Sequence, residues 1–221
     1  MNSILAPSIL SADFGNLERD IKTVEENGAK YLHIDVMDGV FVPSISFGMV
    51  VQKSIRRCTN ITFDTHLMIT EPIRYVEEFA SIGSDIITVH LEACENAHDT
   101  LKAIRNAGCK AGLSIKPGTD VKELLPYMDE VDMILIMSVE PGFGGQKYME
   151  ESTARIREVA RMIKTSGHSI DLEVDGGINI DNVKTVLDAG ANVIVSGSSL
   201  FKNDLGKNVK DYIKILESEK E

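Results

Sequence analysis

Eight times along the 221 residues a short apolar, β-branched run gives way to an amphipathic, charged segment. The runs lie at 3–9, 30–37, 61–68, 85–91, 110–115, 131–137, 171–175 and 191–197. Segments with helical spacing lie between and after them, at 16–27, 47–57, 72–82, 96–107, 120–128, 149–166, 181–189 and 204–218. In the first, Leu17, Ile21 and Val24 recur at the period of one helix face, and Gly28 stands where a helix stop is expected. Such alternation predicts parallel strands joined by helical crossovers. Eight units in one chain of this length predict a single-domain (β/α)8 TIM barrel over residues 1–221, with a doubly wound open sheet as runner-up.

The placing of polar residues separates the two. An open sheet gathers its site at one switch point, whereas a barrel draws it from the C-terminal ends of many strands. Here Ser8, His33, Asp35, His66, His90, Ser138, Asp175 and Ser196 all fall near such ends. Neither a GxGxxG nor a Walker A pattern is present. The net charge of −11 argues against a nucleic-acid or anionic-membrane surface. No apolar run approaches a membrane span, and no signal peptide is read at the N-terminus. Three cysteines, Cys58, Cys94 and Cys109, lack metal-site or disulfide spacing, so a reducing cytoplasm is expected.

Strand parity points to the chemistry. In "YLHIDVM" (31–37), Leu32, Ile34 and Val36 share one face, and His33, Asp35 and Met37 share the other. In "DTHLM" (64–68), Asp64, His66 and Met68 share a face, and in "LEVDGG" Glu173 and Asp175 do so. Histidines and carboxylates converging from three strands suit a divalent metal site. A buried hydrogen-bonded network is the alternative, and for His33 and Asp35 alone the simpler one. Asp64 fits a partner that orients a histidine. Asp38 has the wrong parity and belongs to the turn with Gly39. His90 either lines the pocket or is a satisfied core histidine. His98, His168, Lys116 and Lys147 read as solvated. Met37, Met68 and Met137, near strand ends, read individually as core.

Glycine-rich loops follow the last three strands: "VEPGFGGQKY" (139–148), "DGGIN" (175–179) and "SGSSLF" (196–201), the last expected to open a short helix. Taken singly each is an ordinary turn. Together, after strands six to eight, they suit a phosphate held on backbone amides, which would let an acidic chain bind an anion.

The stretches "LAPSILSADFGNL", "HIDVMDGVFVPSISFG", "DTHLM", "IKPGT", "MSVEPGFGGQKY", "EVDGGIN" and "GANVIVSGSSLF" closely resemble the ribulose-phosphate 3-epimerase family, in order from residue 5 to about residue 201. The resemblance implies a (β/α)8 barrel that interconverts D-ribulose 5-phosphate and D-xylulose 5-phosphate in the pentose phosphate pathway. It implies one divalent metal ion, whether zinc, iron(II), manganese or cobalt, on His33, Asp35, His66 and Asp175. Asp35 and Asp175 would also be the acid/base pair. Ser8 and His66 would contact substrate, Gly142, Phe143, Gly144 and Gly145 would close over it, and Gly176, Gly177, Gly197 and Ser198 would hold the phosphate. Met37, Met68 and Met137 would flank the reacting carbon. A cytoplasmic homo-oligomer acting on a small sugar phosphate is the expected setting. Two alternatives are an epimerase of a six-carbon ketose phosphate, D-allulose 6-phosphate, and a non-catalytic phosphosugar-binding barrel. The "DGGIN" and "GSS" patterns lean towards the pentose enzyme, and a binding module has no need of two carboxylates.

Overall fold

The structure, a computed structural model, describes residues 3–218. Eight strands form one parallel sheet: β1 (Ile4–Pro7), β2 (Tyr31–Met37), β3 (Thr62–Met68), β4 (Ile86–His90), β5 (Lys110–Ile115), β6 (Met133–Met137), β7 (Asp171–Asp175) and β8 (Val193–Ser196). Its order is β1-β8-β7-β6-β5-β4-β3-β2, so sequence neighbours are spatial neighbours except at the seam between β1 and β2. A parallel bridge between Ser8 and His33 closes that seam and completes the barrel. No open switch point exists, which removes the doubly wound alternative.

The helices are α1 (Leu17–Glu26), α2 (Met49–Arg56), α3 (Val76–Ser81), α4 (Ala97–Asn106), α5 (Ser152–Ser166), α6 (Val183–Asp188) and α7 (Leu205–Ser218). They fall inside the segments that periodicity predicts. The expected helix at 120–128 is a correction: Val121–Tyr127 is a 3-10 helix with Pro126 inside it. Proline has no N–H to give and crowds the preceding turn, so α-helical bonding is lost there. Gly28 takes φ +108° just after α1, a backbone region open to glycine.

Strand alternation divides the apolar residues between two cores. Leu32, Ile34 and Val36 on β2, with Phe63 and Leu67 on β3, face outward into the layer shared with the helices, beside Ile21, Val24 and Phe79. Each such side chain stabilises the fold by about 1.5–3 kcal/mol on burial. Inside the barrel, Ala6, Tyr31, Ile86, Met133, Val193 and Val195 form a separate apolar cluster, running from the first residues of β2, β4, β6 and β8 up to Val195 at the cavity. The interior thus runs from an apolar floor to a polar mouth, and the polar mouth is where the strand ends deliver His33, Asp35, His66 and Asp175.

Candidate active site

The pairing of β2 with β3 sets the site's rows. His33 registers with Asp64, Asp35 with His66, and Met37 with Met68. Across the barrel, Met137 registers with Asp175 and Leu135 with Glu173. Side chains on these rows point inward, so both histidines and their carboxylates meet on the axis. His33, Asp64, His66 and Glu173 are fully buried, and Asp35 nearly so.

Asp35 is the hub. Its Oδ2 accepts from Ser8 Oγ at 2.5 Å, across the closing seam. Its Oδ1 lies 3.2 Å from His66 Nδ1 and 3.3 Å from His33 Nε2. On the far side of the His33 ring, Nδ1 lies 2.6 Å from Asp64 Oδ2, so the expected orienting role of Asp64 has a geometric basis. His66 Nε2 lies 2.9 Å from His90 Nε2. His90 is buried and does not line the cavity, so it sits in the core, but its Nδ1 has no hydrogen-bond partner and it is not the satisfied core histidine expected.

The carboxyls differ in their surroundings. Burial pushes Asp35 up, but His33 and His66 outweigh it and hold the group well below the usual carboxylate range. Asp175 has no such partner; burial, then the charge of Asp35, push it to about 6. Burial and the charge of Asp64 also raise Glu173 well above its ordinary value. Burial alone would lower His33, but the charges of Asp35, Asp64 and Glu173 hold it well above the ordinary histidine range. One pocket therefore concentrates negative charge that calls for protons or a cation.

One ligand atom each from His33, Asp35, His66 and Asp175 lies within 4.8 Å of the others, so these residues can hold a metal ion. Three observations test the fit. His33 Nε2 is buried with no hydrogen-bond partner, because its approach to Asp35 is misaligned. Its other nitrogen is fixed by Asp64, the usual arrangement behind a ligating imidazole. The separations of 3.2 and 3.3 Å are near the edge, about 3.3–3.4 Å, expected between neighbouring ligands of a tetrahedral site with bonds of about 2.0–2.1 Å. The set fits a divalent cation of intermediate hardness. His33, Asp64 and Glu173 form a second group deeper in the barrel.

Above this cluster opens a cavity of about 490 Å³. Ser8, Asp35, Asp175, Met37, Met68 and Met137 line its floor, while His33 and His66 lie beneath. The β6 loop contributes Gly142, Phe143, Gly144 and Gly145, and the β7 and β8 loops Gly176, Gly177, Gly197 and Ser198. Phe143 is 56% exposed at the rim. The loop is tied at its base by Met149 N to Ser138 O and internally by Gln146 Nε2 to the carbonyls of Glu140 and Phe143. The β6 and β7 loops touch: a Cβ on Gly177 would stand 2.2 Å from Tyr148 N. Gly197 also sits close to the β1 loop, though less so, 2.9 Å from Ser11 Oγ by the same measure.

Some expectations change. The stretch 196–201 does not open a helix; Leu200 N and Phe201 N both bond Gly197 O in a single turn. Ser138 and Ser196 do not line the cavity. Ser138 Oγ donates to the carbonyls of Asp175 and Gly176, and Ser196 joins Ser199 and Tyr212 in a hydroxyl knot about Ile178 O, bracing both loops from behind. Lys147 is exposed as expected, and it also borders the cavity, as does the exposed Lys202. Lys116 lies over the Phe41 ring, its Nζ 3.8 Å from the centroid. Asp38 is in the turn as expected, accepting from Val40 N and Phe41 N. Asn179 and Asn182 were missed: Asn182 Nδ2 donates to Gly177 O and its Oδ1 accepts from Asn179 N. The "DGGINIDN" spacing, with asparagines framing a glycine turn, was the available signal.

Comparison with known proteins matches residues 4–201 to the ribulose-phosphate 3 epimerase family. A ribulose-phosphate 3-epimerase of Bacillus subtilis is 46% identical over 89% of this chain and 91% of its own. Those of Synechocystis and Escherichia coli are 49% and 44% identical, over 90% and 94% of this chain and 88% and 93% of their own. Among solved structures, phosphoribosyl anthranilate isomerase from Thermus thermophilus superposes with TM-score 0.69 at 13% identity, covering 97% of this chain and 98% of its own. A tryptophan synthase alpha-subunit from Pyrococcus furiosus gives 0.70 at 16%, covering 99% and 100%. At those identities the structures share the barrel alone.

Proposed function

Since the chain belongs to the ribulose-phosphate 3-epimerase family and is an isomerase, we propose that its reaction is the interconversion of D-ribulose 5-phosphate and D-xylulose 5-phosphate at this barrel mouth. The observation that carries the reading is the pair Asp35 and Asp175. They come from β2 and β7 and line one cavity, with Asp35 hydrogen-bonded by Ser8 and His66.

Epimerisation at C3 removes a proton next to the C2 ketone and returns one to the opposite face. Two carboxyl groups suffice if one begins ionised and the other protonated. Asp35 on β2, held by Ser8 and His66, suits the base on one face, and Asp175, reaching the same cavity from β7, suits the acid that returns a proton on the other. For the reverse direction they exchange roles. His33, Asp35, His66 and Asp175 would hold the divalent cation, which when bound supplies Lewis-acid stabilisation of the negative charge that develops on the C2 oxygen. Ser8 holds the second oxygen of Asp35, fixing that carboxylate's plane. Met37, Met68 and Met137 cover the reacting carbon with groups that donate no proton.

The phosphate end is assigned to Gly176, Gly177, Gly197 and Ser198, with Lys147 and Lys202 supplying positive charge that the chain as a whole lacks. Gly142, Phe143, Gly144 and Gly145 would close over the sugar. A homo-oligomer is supported by apolar side chains left on the surface after β2, Val40, Ile45 and Val50. Three unpaired cysteines suit a reducing cytoplasm.

Side-by-side initial rates on D-ribulose 5-phosphate and D-allulose 6-phosphate test the substrate. The expected result is a kcat/KM at least about tenfold higher on the pentose, the discrimination that about 1.4 kcal/mol provides. A preference for the hexose would transfer the assignment to the six-carbon reaction, and binding without turnover of either would favour the binding barrel.

A further inference from the structure

Strands β3 and β4 bring together an arrangement the reaction above does not use. His66 Nε2 and His90 Nε2 face each other at 2.9 Å. Two imidazole nitrogens at that distance share one proton, so one donates and the other accepts. His66 offers its Nδ1 to the Asp35 carboxylate, 3.2 Å away, on the metal side. If Nδ1 is to carry a free lone pair there, the His66 proton must be on Nε2, and His90 Nε2 must accept it. The His90 proton is then on Nδ1, which is buried with no aligned hydrogen-bond partner and has Glu92 Oε2 as its near neighbour at 3.4 Å. Glu92 is itself held from the β5 loop by Lys116 N at 2.7 Å and by the Thr119 hydroxyl. His90 has little freedom to turn. It is fully buried, with its ring centroid 5.0 Å from those of both His66 and Phe41.

We propose that His90, backed by Glu92, is a positioning residue that selects the His66 tautomer able to bind the metal through Nδ1. It does for His66 what Asp64 does for His33, with an imidazole and a carboxylate in series instead of one carboxylate. The inference rests on the metal-site reading of His33, Asp35, His66 and Asp175. Ordering of this kind behind a ligand is worth about 10–100-fold in metal affinity.

Two measurements test it without substrate. In zinc-loaded native protein carrying 15N-labelled histidine, long-range proton–nitrogen correlation should show His66 protonated at Nε2 and His90 protonated at Nδ1. Zinc bound through His66 Nε2 would overturn the proposal. In competition with a chromophoric chelator, His90→Phe should bind zinc about 10–100-fold more weakly than native protein. His90→Gln, whose carbonyl can accept from His66, should recover most of the loss at equal far-UV circular dichroism. Unchanged affinity in His90→Phe, or equal loss in both folded variants, would overturn the proposal. Should His90→Phe fail to fold, the tautomers of native protein decide. Native protein that takes up no divalent metal would instead remove the metal reading itself.

Discussion

Asp35 and Asp175 carry the same carboxyl group and are set to different tasks by what surrounds them. Asp35 has hydrogen bonds from Ser8 and His66 and the His33 ring beside it, whereas Asp175 has burial and a neighbouring negative charge. Replacing either by asparagine keeps the shape and removes the proton acceptor. Asp35→Asn and Asp175→Asn are each expected to lower kcat by at least about 10²–10⁴-fold, the range of a general acid or base, with circular dichroism unchanged. Steady-state rates with saturating metal check this; near-native turnover in either folded variant would refute the two-carboxylate assignment. Parity in "YLHIDVM" was enough to place His33 and Asp35 on one inward face, because a strand offers only two faces. It could not show what His90 and Glu92 do, because their contacts join β3, β4 and the β5 loop, and side-chain pairing across strands depends on register. Ser8 bonding Asp35 was equally hidden, since it depends on the first strand meeting the second.

At the scale of elements, the strands deliver the chemistry and the loops after β6, β7 and β8 shape what it acts on. These loops pack on one another so closely that Gly177, at φ +68°, leaves no room for a side chain against the Tyr148 backbone. Gly177→Ala is therefore expected to displace the β7 loop and raise KM for the sugar phosphate about tenfold or more, with a smaller effect on kcat. Kinetics separating KM from kcat check this, and an unchanged KM would dissociate the β7 loop from phosphate binding. Strands were legible as elements because apolar and polar residues alternate at a fixed period. The fifth crossover was not, since Val121, Leu124 and Met128 at helical spacing disguised a segment that Pro126 turns into a 3-10 helix. The turn after β8 was also missed: "SGSSLF" reads as a helix start, but Ser196 and Ser199 spend their hydroxyls on Tyr212 and Ile178 O.

At the scale of the whole molecule, the barrel separates stability from chemistry. Its helix-facing layer and its apolar floor hold the fold, leaving the mouth free to gather buried charges that destabilise one another. The eightfold alternation sufficed to predict the barrel, because each βα unit must cover its strand and eight units close a ring. What alternation cannot supply is the closure at β1 and β2, which sets where every inward side chain stands. On the proposed mechanism, two carboxyls across this mouth, beside a divalent cation, exchange the C3 proton with solvent. Proton NMR of D-ribulose 5-phosphate in D2O with metal-loaded protein, repeated after chelation, tests it most directly. The expected result is D-xylulose 5-phosphate carrying deuterium at C3, with the exchange lost on chelation and restored by added metal. No product with zinc, iron(II), manganese or cobalt, or product formed without deuterium at C3, would contradict it.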